Sequence, residues 1–188
     1  MKSCLIVIDA QESFRRRPYF TQRDFGAYVD AQNALIQGAL AQGMAVVRIF
    51  HVDGPETAAN PFALVSGHVR PLAELVPYEP AATFHKHRHS ALVGTGLDVW
   101  LIQNQIGRLI ISGIRTEQCC ETTTRHASDL GFTVDFVLDA TLTFDMRLAD
   151  GAPFPSADIK ACTAAVLQDR FARICSAEDA LEEVAATA

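Results

Sequence analysis

Short runs of branched apolar residues alternate along the chain with longer stretches patterned for helix. Residues 5–8 (Leu5, Ile6, Val7, Ile8) carry no polar alternates, the pattern of a strand buried on both faces. Phe25, Tyr28, Val29, Leu35, Ile36, Ala39 and Leu40 then recur at helical spacing, with Asp24 placed to cap and Gly43 to stop a helix over 25–42. A second strand is predicted over 45–50 and a weaker third over 83–85. Thr95 and Asp98 read as a capping box for a helix through Gln103. Strands follow over 109–112 and 133–138, separated by a helix over 119–130 that Gly131 ends. Ser156 and Ser176 are placed to cap two later helices, and a short last strand is predicted over 173–175. Strands alternating with helices require right-handed crossovers. The pattern therefore predicts an α/β fold: a three-layer, doubly wound (Rossmann-like), mostly parallel sheet of about six strands with helices on both faces. The stretches 56–67 and 148–155 are loop-like, and neither is long enough to divide the 188 residues into two domains.

Composition narrows the function classes. A net charge of −6 leaves no basic stripe for nucleic acid. No apolar run approaches the roughly 20 residues of a membrane helix. The apolar start, Cys4 to Ile8, is too short for a signal-peptide core, and five cysteines with one adjacent pair make no disulfide framework. A reduced, cytoplasmic protein acting on a small molecule is the expectation.

Ligands of an open parallel sheet bind beyond the carboxyl ends of its strands. Three reactive side chains fall there: Asp9 after the first predicted strand, Lys86 after the third, and Cys119 at the start of the helix after the fourth. A thiol at a helix N-terminus is expected to feel the positive end of the macrodipole, which lowers its pKa. The carboxylate can take the thiol proton, while the ammonium favours the thiolate and keeps the carboxylate charged. Singly, each has a commonplace role: a turn Asp, a solvated Lys, a Cys packed as a small hydrophobe. Their shared rim makes them a candidate nucleophile set. The loop over 13–20 carries Arg15, Arg16 and Arg17, of which Arg16 is singled out to meet a substrate carboxylate, because the guanidinium fork matches that group. Phe14, Phe62 and Phe144 are expected to line a small apolar pocket.

These residues lie in three motifs that resemble the isochorismatase-like cysteine hydrolases. Val7-Ile8-Asp9-Ala10-Gln11-Glu12-Ser13-Phe14 is similar to that family's opening hydrophobic-Asp-x-Gln-x-x-Phe segment. Lys86-His87-Arg88-His89-Ser90-Ala91 is similar to its Lys-x-Arg-x-Ser-Ala-Phe segment, and Gly113-Ile114-Arg115-Thr116-Glu117-Gln118-Cys119-Cys120 to its Gly-x-x-Thr-x-x-Cys-Val. The resemblance implies a triad of Asp9, Lys86 and Cys119, a cis peptide at Ile114–Arg115, and an oxyanion hole from the backbone N–H groups of Arg115 and Cys119. Gln11 and Arg88, motif neighbours of the acid and the amine, are expected to join Phe14, Arg16 and Phe144 at the substrate. The implied reaction is cleavage of a C–N bond of a small amide or carbamoyl compound through a Cys119 thioester. Vinyl ether hydrolysis, which family members perform without the cysteine, is the alternative. A homo-oligomer, dimer or larger, is also implied.

The chain departs from the family pattern at Leu92, where Phe is usual, and at Cys120, where Val is usual. Nicotinamidases of the family bind metal through an Asp-x-His segment after the second strand. Here the stretch reads His51-Val52-Asp53, in reverse order and without a second His at the expected distance, so no metal and no other cofactor is expected. A rival reading uses His85, His87 and His89, which alternate and would share one face of a strand, as zinc or iron ligands of a metal-dependent hydrolase. A further reading takes Cys119-Cys120 as a redox sensor, although no Cys-x-x-Cys is present.

Overall fold

Six strands form one parallel sheet in the computed structural model, which describes residues 1–187. In chain order the elements are β1 (Lys2–Ile8), α1 (Phe25–Ala41), β2 (Ala45–His51), β3 (Ala82–Lys86), α2 (Leu97–Gln103), β4 (Ile106–Ile114), α3 (Glu121–Asp129), β5 (Thr133–Leu142), β6 (Met146–Arg147), β7 (Pro153–Phe154), α4 (Ser156–Leu167), β8 (Arg173–Cys175) and α5 (Ala177–Thr187). The main sheet runs β3-β2-β1-β4-β5-β8, and β6 and β7 make a separate antiparallel pair.

The parity of β1 explains the layering. Leu5 and Val7 join Phe25, Tyr28, Leu35 and Ile36 of α1 and Ala177 and Ala180 of α5 in one core. Cys4, Ile6 and Ile8 join Leu97 and Leu101 of α2, Ala127 of α3 and Leu167 of α4 in the other. Both faces of the central strand are covered, as its unbroken apolar run requires. Burial at ~25 cal/mol per Å² on two faces makes this strand the anchor of the fold.

The strands and helices lie where the hydrophobic pattern puts them, but Asp24 makes no side-chain cap on α1, and Thr95, one residue before the N-cap Gly96, takes the Leu97 N–H (3.2 Å) without forming a capping box; three further differences are informative. The chain over 119–130 opens as a wide π turn, Thr116–Cys120, before α3 begins at Glu121. Ser156 does not cap α4 with its own side chain; Asp145 accepts its backbone N–H instead, at 2.8 Å. The loop predicted over 148–155 holds the turn and second strand of a hairpin whose first strand, β6, precedes it. Ser176 and Asp179, by contrast, form a reciprocal box at the start of α5 (3.0 and 3.1 Å).

Two joints hold the sheet. Gly113 on β4 has φ +126°, and a Cβ there would lie 1.9 Å from the Ile8 carbonyl oxygen of β1, so the strands can meet this closely only at glycine. Further along, Asp135 of β5 is buried between Arg108 of β4 and Arg173 of β8, both of which ion-pair with it. Among the described residues no helix is long and apolar enough to cross a membrane.

Candidate active site

The chain passes from β1 outward to β2 and β3 and then crosses back to β4 on the other side of β1, and this switch in direction opens a crevice at the carboxyl ends. Asp9 lies one residue past β1, with φ 51°. Aspartate is among the few side chains that tolerate this left-handed region. Lys86 ends β3, two strands from β1, and is the register partner of His51 on β2. At ~4.8 Å per strand it must reach roughly 10 Å sideways, and a long flexible stem does so. Cys119 sits in the π turn after β4, beyond a cis peptide between Ile114 and Arg115.

The three reactive groups converge. Lys86 Nζ is 2.7 Å from Asp9 Oδ2 and 3.1 Å from Cys119 Sγ, and the Asp9 and Lys86 side chains are fully buried. The same ammonium donates to the Arg88 carbonyl (3.1 Å) and lies 2.9 Å from Nδ1 of His51. His51 is itself clamped by Gln11, whose Oε1 accepts the His51 N–H (2.8 Å) and whose Nε2 donates to the His51 carbonyl (3.1 Å).

Burial lifts the Asp9 pKa above the ordinary carboxylate value, with the Lys86 charge only partly offsetting it. Burial also works against the Lys86 ammonium, but Asp9 and then Cys119 outweigh it and hold Lys86 above the ordinary lysine value. The Cys119 thiol is pushed up, first by burial and then by the Asp9 charge, with Lys86 opposing. This corrects the expectation of a thiol acidified by a helix N-terminus: the sulfur stands in a π turn beside a carboxylate, and desolvation decides. Burial and the neighbouring carboxylate thus favour the thiol form of Cys119 over the thiolate. His51 is driven down to about 4, by burial and then by Lys86, and is neutral at pH 7.

A cavity of about 370 Å³ opens over Cys119 and Asp9, walled by Phe14, Tyr19, Phe62, His51, His89 and Gln118, with Arg17 and Asp53 at its edge. Of the residues expected at the substrate or its apolar pocket, Phe14 and Phe62 line it. Arg16 is exposed and faces elsewhere; Arg17 takes the place foreseen for it, its guanidinium 5.8 Å from the rings of both Tyr19 and Phe62. Among the described residues Arg17 has no carboxylate partner, whereas Arg15 pairs with Glu74. Gln11 spends both ends of its amide on His51 and Ser13 rather than facing the cavity. Arg88 is exposed, donates to the His87 carbonyl, and serves the site through its own backbone oxygen. Phe144 lies behind the cavity, packed on Tyr19 and Phe20.

The three alternating histidines do not assemble. His85 packs on Phe50, and His89 runs parallel to His51 with its Nδ1 3.8 Å from Cys119 Sγ. Among the described residues the group with metal-ligating chemistry is instead Asp9, His51 and Cys119, whose donor atoms lie within 4.8 Å of one another. The Lys86 ammonium stands within hydrogen-bonding distance of all three, so the cation they surround is already part of the chain. A divalent ion would have to displace that charge, and the set does not fit a metal while Lys86 is protonated. Position at the end of β2, the same rule that marks Asp9 and Lys86, was the signal that could have found His51.

The geometry agrees with what known proteins share with this chain. YrdC, an uncharacterized isochorismatase family protein of Bacillus subtilis strain 168, is 27% identical over 184 residues, covering 97% of this chain and 96% of that protein. An isochorismatase from Pseudomonas putida KT2440 is 27% identical, superposes with a TM-score of 0.84, and covers 94% of this chain and 89% of its own. N-carbamoylsarcosine amidase from Thermoplasma acidophilum, at 20% identity and a TM-score of 0.71 over 95% of this chain and 98% of its own, shares the fold. The model of the isochorismatase domain matches residues 3–179, from the first residues of β1 into α5 and across every element that carries the crevice, and the chain belongs to the isochorismatase family of hydrolases.

Proposed function

We propose that this hydrolase cleaves the C–N bond of a small amide or carbamoyl compound that carries a carboxylate, through a thioester on Cys119. The observation that carries the reading is the Lys86 ammonium bridging Asp9 (2.7 Å) and Cys119 (3.1 Å) at the floor of the cavity. Asp9, whose pKa burial raises toward the range useful for proton transfer, takes the thiol proton. The thiolate, beside the Lys86 charge, attacks the carbonyl carbon. Backbone N–H groups of Arg115 and Cys119 take the developing oxyanion, at about 2.7–4 kcal/mol per donor. Protonated Asp9 passes its proton to the leaving nitrogen, and the amine departs. Asp9 then takes a proton from water, hydroxide adds to the thioester, and the acid leaves as the sulfur recovers its proton from Asp9.

A cysteine so placed favours acyl transfer over vinyl ether hydrolysis, which needs a proton donor but no nucleophile. Arg17, at the cavity edge and without a carboxylate partner among the described residues, supports a carboxylate on the substrate, and the rings of Phe14, Tyr19 and Phe62 support a compact body behind it. Ammonia or amine release across a panel of small amides and carbamoyl compounds, acidic and neutral, tests the proposal. The expected result is turnover of an acidic member, a covalent adduct at Cys119 by intact mass, and at least about a thousandfold loss in Cys119→Ala. Undiminished turnover in that variant would overturn it.

A further inference from the structure

The Lys86 ammonium has three protons and, in this site, four acceptors. They are Asp9 Oδ2 at 2.7 Å, His51 Nδ1 at 2.9 Å, the Arg88 carbonyl at 3.1 Å and Cys119 Sγ at 3.1 Å. Two of these are fixed. The Arg88 carbonyl belongs to the backbone two residues on, and the His51 ring is held by the Gln11 clamp on its backbone and by the Phe62 ring against its edge (5.8 Å, 77°). An ammonium can only donate, so a bond at His51 Nδ1 requires that nitrogen to be bare and the proton to sit on Nε2, which looks toward Asp53 (4.0 Å).

We infer that His51 is a positioning residue of this site: locked as the Nε2–H tautomer, it holds one Lys86 proton, so that with Arg88 holding another only one proton is left for Asp9 and Cys119. In the resting site that proton is directed at Cys119 Sγ, and Asp9 Oδ2, though nearer at 2.7 Å, is held as an ion pair without a hydrogen bond of its own. When Asp9 takes the thiol proton it becomes neutral, its pull on the ammonium weakens, and the Lys86 proton stays on the new thiolate. Charge moves without the lysine moving. If His51 did not occupy one donor, Lys86 could bond Asp9 and Cys119 together. The freed proton would go to the unsatisfied Asp9 carboxylate and offset the charge that raises the thiol, so the thiolate would form more readily before substrate arrives and Asp9 would be the poorer base.

The charged and titratable groups facing His51 are Lys86, Asp53, His89 and His87, and those facing Cys119 are Asp9, Lys86 and His89. Among the described residues none of the other groups facing His51 is hydrogen-bonded to Lys86: Asp53 faces Nε2, the opposite ring nitrogen, and His89 runs parallel to the His51 ring with its Nδ1 near Cys119 Sγ.

The inference rests on the reading of Asp9, Lys86 and Cys119 as the reacting set, and two measurements separate it from that reading. Nitrogen-15 NMR of the folded, ring-labelled protein at pH 7 reads the tautomer with no turnover. A bare, hydrogen-bonded Nδ1 with a protonated Nε2 is expected, and a proton on Nδ1 would overturn the inference. The pH profile of iodoacetamide alkylation at Cys119, followed by peptide mass, reads the consequence. His51→Phe, which keeps a ring but offers no acceptor, is expected to show about tenfold more reaction at a given pH below the midpoint. His51→Asn, which keeps an acceptor near Nδ1, is expected to retain the wild-type profile. An unchanged profile in His51→Phe, or equal shifts in both variants, would overturn it. Should His51→Phe fail to fold, His51→Leu supplies the same contrast, and the NMR result stands by itself.

Discussion

Arg17 gives the sharpest test of what the cavity is built to hold, and it can be read without knowing the substrate. Iodoacetate and iodoacetamide alkylate a thiol by the same displacement but differ by one negative charge. A carboxylate entering the cavity comes within ~4–6 Å of a rim guanidinium, and in the high dielectric of an open edge the attraction is about 1 kcal/mol, or about fivefold in rate. Arg17 is well placed to supply it, being without a carboxylate partner among the described residues and flanked by Tyr19 and Phe62. The iodoacetate-to-iodoacetamide rate ratio at Cys119 is therefore expected to fall about fivefold in Arg17→Gln, and less at high salt. Cys162, exposed on α4, is the internal reference, and its ratio should not change. Arg16→Gln is the second control, because that side chain lies outside the cavity lining. An unaltered ratio at Cys119 in Arg17→Gln, or an equal fall in Arg16→Gln, would refute the assignment of the carboxylate subsite.

Other consequences follow from the buried charges. Asp9→Asn fits the same left-handed backbone and removes the negative charge that, after burial, raises the Cys119 thiol; Cys119 alkylation should then begin at lower pH while hydrolysis is lost, and a profile moved to higher pH would contradict this account of the thiol. Asp135→Ala would leave Arg108 buried without its counter-ion, and urea unfolding is expected to register a loss of about 3–5 kcal/mol; a loss below ~1 kcal/mol would mean the joint between β4, β5 and β8 is held by packing alone.

How much could be read from the chain alone depended on how local each signal was. β1, β2 and β4 are buried on both faces, so their apolar runs announce them without help from context. β3 is an edge strand whose side chains alternate between half-buried and exposed, and Ala82–Lys86 is correspondingly faint in sequence. Asp9, Lys86 and Cys119 were legible because strand ends in a parallel sheet have a known fate and because three motifs frame them. The cavity wall was less so. Tyr19, His51, Gln118 and Arg17 come together from three separate segments, and which of three adjacent arginines faces inward depends on the short 3₁₀ turn Glu12–Arg16 that precedes the last of them. The thiol's acidity was misjudged for a related reason. A helix terminus can be inferred from local sequence, but desolvation and a carboxylate delivered by another strand cannot.

The contact between Gly113 and Ile8 has a consequence for how such an enzyme diversifies. Ile8 immediately precedes the acid, and Gly113 leads into the turn that bears the sulfur, so a carbonyl pressed against a bare α-carbon fixes the depth of one reacting group relative to the other. Any larger residue at position 113 would pry the two apart, and drift there is closed. The rim loops carry no such constraint, so a side chain there can change without moving Asp9 relative to Cys119.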